Sequence, residues 1–223
     1  MNNIVVLDVN DSKLQPFRDL GFNVYCGNVK DVQTREWMGH GPQFQRPIYF
    51  VSPANSLGFM DGGIDRAYMN MFPGIQQQVQ RIIKECSPFL SNFGRPFLPI
   101  GSAITVLIDE HNALISAPTM LMPQAVPKTN NPYHTMKGIL KVWPERGTLV
   151  VPALCCGYGK VNPDVAAKEM LHAINEHNFI GPHDHCHYII KNEKIMLQQP
   201  KYYENTEFFD IDPKDVIEHD DVV

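Results

Sequence analysis

Val51-Ser52-Pro53-Ala54-Asn55-Ser56-Leu57-Gly58-Phe59-Met60-Asp61-Gly62-Gly63-Ile64-Asp65-Arg66-Ala67-Tyr68 is the stretch on which the fold of this chain turns. It begins at the end of an apolar run, 48–51, short and rich in β-branched and aromatic residues as a buried strand is. It then passes into small and polar residues, reaches a double glycine and enters a helix at Ile64. A strand that ends in a small-residue loop and feeds a helix makes an anion site. Gly62 and Gly63 let the backbone come close to a ligand, and the unpaired N–H groups of the first helical turn point at it. Asn55 and Asp65 bracket the loop, and a phosphorylated sugar is the expected occupant.

Working outward, 223 residues with 43% hydrophobic content suffice for one large domain, or one domain and a tail. No run approaches the roughly 20 apolar residues of a membrane span, and the start, Met-Asn-Asn-Ile-Val-Val-Leu-Asp, lacks the positive region of a signal peptide. Five cysteines, with Cys155 and Cys156 adjacent, do not suit a disulfide framework, so a reduced, cytoplasmic setting is expected. Eight acidic residues against the single Lys214 lie within 204–223; without them, 16 acidic residues face 18 basic ones. The body of the chain is near neutral, which argues against a broad nucleic-acid surface. The expected organisation is one domain over 1–200 followed by an acidic tail over 201–223.

The rest of the chain alternates. Strands are expected over 4–9, 22–26, 48–51, 102–108, 113–117 and 148–151. Helices are expected to follow a cap at Ser12 or Asp11 through Leu20, with Gly21 as C-cap, and to run from about 28, over 64–72 and 75–86, over 132–142 and over 163–176. Ile75, Val79, Ile82, Ile83 and Cys86 recur at helical spacing as a core-facing stripe. Alternation of this kind argues for an α/β layered sheet covered on both faces, with ligands bound beyond the carboxyl ends of the strands. Three loops obey that rule: 27–31, 52–65 and 155–163. The last repeats the logic of the opening stretch, since Val150-Val151-Pro152-Ala153-Leu154-Cys155-Cys156-Gly157-Tyr158-Gly159-Lys160-Val161-Asn162-Pro163 is an apolar strand, a glycine-spaced loop and a helix start. Two such loops on neighbouring strands could clamp a pyrophosphate.

These two loops resemble those of the macro domain family, whose members bind ADP-ribose and in many cases remove it from proteins. Ser52-Pro53-Ala54-Asn55 followed by Asp61-Gly62-Gly63-Ile64-Asp65 is similar to the family's first loop, and Gly157-Tyr158-Gly159 after Pro152-Ala153-Leu154 to its second. Ser-Pro-Ala-Asn-Ser with Met-Asp-Gly-Gly-Ile-Asp looks closest to a macro-domain-like subgroup. The match runs from about Asn3 to about His177. The resemblance implies a three-layer α/β/α fold with a mixed central sheet, and a monomer that binds ADP-ribose or a mono-ADP-ribosylated protein without cofactor or metal. The implied activity is release of ADP-ribose from acidic side chains or a related ester or phosphate; the alternatives are a non-catalytic reader or a binder of another nucleotide. By the same resemblance, Asn55 would bond the distal ribose and Asp65 would lie beside that ribose and its attacking water. Gly62, Gly63 and Ile64 would hold one phosphate, and Gly157, Tyr158, Gly159 and Lys160 the other, with the Tyr158 ring on the distal ribose. Asn28 and Val29 would hold adenine, and Ser56 and Cys156 complete the lining.

Four positions depart from the family pattern. Asn28 stands for the usual aspartate, Ser52 for the first asparagine, Asp61 for the first glycine, and Met69 where many hydrolytic members carry histidine. Asp65, in a helix's first turn, is expected to have a lowered pKa and so to orient water rather than act as a strong base. Lys160 reads either as a phosphate ligand or as a solvated side chain, and Cys155 and Cys156 also suit small core positions. A cysteine-phosphatase loop is excluded, because Val161 and Asn162 stand where its arginine belongs. No glycine lies within 8–14, against a dinucleotide-binding fingerprint, and Lys160 is followed by valine, against a P-loop. His183-Asp184-His185-Cys186-His187 reads as a polar strand end in preference to a metal site.

Overall fold

A computed structural model describes residues 3–34, 44–91 and 94–178. Among them six strands, β1 (Ile4–Asp8), β2 (Asn23–Cys26), β3 (Ile48–Ser52), β4 (Ile104–Leu107), β5 (Asn112–Ser116) and β6 (Thr148–Pro152), form one sheet in the order β2-β1-β6-β3-β5-β4. All neighbours are parallel except the β4–β5 pair at one edge. The helices are α1 (Asp11–Asp19), α2 (Val29–Thr34), α3 (Gly63–Met71), α4 (Ile75–Cys86), α5 (Asn131–Val142) and α6 (Pro163–Asn178).

Two-residue alternation along each strand builds the layers. Val6, Val51, Ile115, Leu149 and Val151 enter one apolar cluster with Leu14 and Phe17 of α1, Met136 and Ile139 of α5, and Ala166 and Met170 of α6. Val5, Leu7, Phe50, Leu114 and Val150 enter the other with Val29 and Val32 of α2, Tyr68 of α3, and Ile75 and Val79 of α4. The expected α/β/α arrangement with a mixed sheet is therefore the observed one. Among the described residues no helix is long and apolar enough to cross a membrane.

Local chemistry corrects the sequence reading at two helices. Asn10, rather than Ser12 or Asp11, caps α1: it keeps extended backbone while its Oδ1 accepts from the Ser12 N–H at 3.0 Å. At the other end Gly21 donates to the Arg18 carbonyl and Phe22 to that of Phe17, and the Phe17 and Phe22 rings meet edge to face at 5.5 Å. That is the paired hydrogen-bond and apolar closure of a Schellman ending. On α4, Ile75, Val79 and Ile83 are buried, but Cys86 is exposed at the last helical residue, where Ser87 already turns to extended backbone. The His183–His187 cluster and the 201–223 tail lie outside the described residues.

Candidate functional site

Strand order brings the two glycine loops together. β6 sits between β1 and β3, so the chain leaving β3 at Ser52 and the chain leaving β6 at Pro152 emerge side by side at the carboxyl end of the sheet. The loop between β2 and α2 emerges three strand spacings from β3, roughly 14 Å at about 4.8 Å per spacing. An elongated ligand laid across these ends would meet all three loops.

The first loop is braced against the segment after β5. Thr119 donates its hydroxyl to the Pro53 carbonyl at 3.0 Å and its N–H to the Ala54 carbonyl at 3.2 Å. Ser56 turns both its N–H and its hydroxyl to the Met120 carbonyl, so this buried serine holds the loop in place. Asn55 winds the turn that follows: Oδ1 accepts from the N–H of Leu57 at 3.0 Å and of Phe59 at 3.4 Å, while Nδ2 donates to the Phe59 carbonyl at 3.3 Å. Its amide is thus largely spent on shaping the loop. One hydrogen on Nδ2 is left for a ligand.

Beyond that turn the backbone opens. Gly62 and Gly63 are exposed and Ile64 is half-buried, and among the described residues the N–H groups of all three lack a hydrogen-bond partner. Gly63 has φ +55°, a left-handed value that disfavours a side chain, and an added Cβ there would meet open space. The first turn of α3 therefore presents free donors outward. Asp65 faces the other way. It is buried, and its Oδ1 accepts from the Ser52 hydroxyl at 2.6 Å.

That orientation overturns the expected charge state. Burial pushes the Asp65 carboxyl up to about 7; the Ser52 hydroxyl pulls it down, and the nearby Asp61 carboxylate adds to the rise. The helix start was expected to dominate. It does not, because Asp65 sits inside the turn on Ser52 instead of capping the outward N–H groups, and loss of water outweighs a single donor. A carboxyl poised near 7 has the proton affinity of an effective general base at neutral pH. Tyr68, one turn on, is buried too and donates to the Val51 carbonyl at 3.1 Å; burial first, then the Asp65 charge, pushes its phenol well up.

The second loop is a tight cradle. Cys156 donates its N–H to the Ala153 carbonyl, Val161 to Cys155 and Lys160 to Gly157, while the Gly159 carbonyl accepts from Val126 at 2.7 Å. A Cβ on Gly159 would come within 2.7 Å of the Cys155 carbonyl oxygen, so only glycine fits that packing. The N–H groups of Gly157, Tyr158 and Gly159 have no partner among the described residues. Gly157, Tyr158 and Lys160 are exposed, Tyr158 by 68%. Cys156 is buried, its thiol raised to about 12 by burial and bonded to the Leu154 carbonyl, which leaves no nucleophile there.

At the third loop Asn28 is exposed, and its Oδ1 accepts from the Lys30 N–H at 3.0 Å, capping α2. That bond takes one of the two lone pairs of the amide oxygen. Val29 is buried in the apolar cluster below, so its side chain serves the core. Sequence reasoning missed Ser52 as the partner of Asp65. The available signal was a hydroxyl closing an otherwise apolar, fully buried strand. Among the described residues no cluster of His, Cys, Asp or Glu could hold a metal.

No protein-family model matches the chain. Solved structures similar to it include the macrodomain of Mycobacterium tuberculosis DarG, at 18% identity and TM-score 0.48 over 59% of this chain and 83% of that one. The macrodomain of Thermus aquaticus DarG matches at 14% identity and TM-score 0.46 over 57% and 81%. Thermosipho africanus DarTG in complex with ADP-ribose matches at 16% identity and TM-score 0.46 over 59% and 35%.

Proposed function

We propose that this chain is a macro domain that binds ADP-ribose and hydrolyses it from acidic side chains. The observation that carries the reading is the pair of loops, 62–64 and 157–159, on neighbouring strands, each offering three N–H groups without a partner among the described residues, the first followed by the buried Asp65 carboxyl. Two sets of fixed donors suit two linked phosphates. Their motifs' resemblance to the family's loops gives the rest of the assignment. Gly62, Gly63 and Ile64 take one phosphate and Gly157, Tyr158 and Gly159 the other, with Lys160 at the rim and the exposed Tyr158 ring free to pack on the distal ribose. The free Nδ2 hydrogen of Asn55 meets a ribose hydroxyl, Ser56 and Cys156 shape the lining, and the base lies at Asn28 and Val29.

In the reaction, ionised Asp65 accepts a proton from a water as its oxygen bonds to the anomeric carbon of the distal ribose. The bond to the side-chain carboxylate breaks, and that carboxylate leaves with the electron pair. Fixing the phosphates holds this carbon in register with Asp65, and such positioning supplies much of a hydrolytic rate. The domain is assigned to 1–200, working as a cytoplasmic monomer without cofactor, with the acidic 201–223 tail outside it.

Calorimetric titration with ADP-ribose, followed by a release assay on glutamate-linked mono-ADP-ribosylated protein, tests both halves. Binding with release is expected, and Gly63→Glu, which puts bulk and charge where a phosphate would lie, abolishes both. Binding without release makes the chain a reader, and the commitment of the Asn55 amide to its own turn would then be the reason. Absence of binding rejects the ligand. A second reading comes from Asn28: its oxygen already accepts from Lys30, and its NH2, which has no partner among the described residues, suits a base that offers an acceptor, so a keto-base analogue binding more tightly than ADP-ribose would replace adenine.

A further inference from the structure

Ser52 is the last residue of β3, fully buried, and its hydroxyl reaches Asp65 at 2.6 Å, the short distance of a charge-assisted O–H···O bond. The surroundings of that bond are otherwise hostile to charge. α2 and α4 turn Val29, Val32, Ile75 and Val79 into the apolar cluster that holds Tyr68. The Tyr68 hydroxyl is spent on the Val51 carbonyl, and Asp61, from the loop before α3, opposes a second negative charge. Arg66, next in sequence, is exposed. Ser116 pairs with Ser52 in the β3–β5 register, yet its buried hydroxyl has no partner among the described residues. Two hydroxyls thus lie at one level of the sheet, and only one of them holds the carboxyl.

We propose that Ser52 is the positioning residue of this site: it holds Asp65 by one oxygen, leaves the other free, and favours the charged, proton-accepting form of the carboxyl. The inference rests on the hydrolase reading for its catalytic consequence, and on geometry alone for the hold on Asp65. A serine serves better than a bulkier amide here, because a single short donor fits a fully buried strand end. The hydroxyl bonds the carboxylate more strongly than the neutral acid, so its removal weakens the charged state more than the neutral one.

The test is a carbon-13 NMR titration of the Asp65 carboxyl in the full, ligand-free chain, with the release assay run across pH on the same proteins. Ser52→Ala moves the Asp65 midpoint upward by about one pH unit, the size of one hydrogen bond to a charged group. Ser52→Thr, which keeps the hydroxyl, restores it. Ser116→Ala, which removes the equally buried but unbonded hydroxyl, leaves it in place. In the release assay, Ser52→Ala lowers kcat/KM at pH 7 about fivefold through a fall in kcat at unchanged KM, and activity returns by pH 9 as the acidic limb follows the midpoint. Should Ser52→Ala fail to fold, Ser52→Cys, of similar size with a weak donor, carries the same expectation. An unmoved midpoint, or one moved equally by Ser116→Ala, overturns the proposal. A moved midpoint with no release by any variant rejects the hydrolase reading and leaves the hold of Ser52 on Asp65 standing.

Discussion

Asp65 bears a cost in the folded chain that its position in the sequence conceals. Its carboxyl is raised from 3.8 to about 7, so the native state keeps a proton that the unfolded chain has already lost. Stability linked to this group is therefore fullest below pH 4, falls as pH climbs from about 4 to about 7, and is level above that. Asp65→Asn removes the titration while keeping the shape. Its gain over the parent, measured by urea unfolding, should be near zero at pH 4 and reach up to about 4 kcal/mol at pH 8. A constant difference across that range would contradict the buried, proton-holding state. The sequence singled out Asp65, Asn55 and Asn28 as candidate site residues, because small polar residues at a strand-to-helix junction are few and their spacing to glycine is fixed. It did not show which way they face. Asp65 turns inward to Ser52, Asn55 onto its own turn and Asn28 onto Lys30, and each choice depends on which backbone donors the folded loop leaves nearby.

Elements were far more legible than side-chain directions. Each expected strand and helix is found within a few residues, since alternation and helical spacing record which face is buried. Even the α1 cap was misplaced by a single residue from Asp11. What periodicity hides is a polar group buried between helices. Lys137, in the middle of α5, is only 5% exposed, and its Nζ lies 3.0 Å from Glu176 Oε2 on α6. The same carboxylate oxygen accepts from the Tyr133 hydroxyl at 2.5 Å. Pairing across α5 and α6 exists only once the helices pack, so no local pattern announces it. Lys137→Ala opens space between α5 and α6 and takes one partner from the half-buried Glu176 carboxylate, and should cost about 2 kcal/mol in denaturant unfolding, whereas Lys137→Met keeps the stem and should cost less. A change under about 0.5 kcal/mol for Lys137→Ala would mean that Tyr133 and His172 satisfy Glu176 without the lysine.

At the scale of the whole molecule, three loops far apart in the chain become one rim because of strand order. Alternating strands and helices predict two covered faces, but they do not rank the strands, and β6 could have taken an edge. Its central place is what sets the phosphate-type cradles of 62–64 and 157–159 side by side. A ligand that spans the rim ties the molecule together. ADP-ribose at about 100 times its dissociation constant should raise unfolding free energy by about 2.7 kcal/mol, read as a rise in Tm, and the rise should vanish in Gly63→Glu. The same strand order has a consequence for how the chain is made. β6 is the last strand to be synthesised among those described, yet it pairs on both sides, with β1 and with β3. Until it arrives, the ribosome has released two part-sheets, each with a bare parallel edge, and neither can close on the other. The rim of loops and the completed core therefore come into being in one late, long-range step, which makes a nascent chain cut before residue 148 the species most in need of a chaperone.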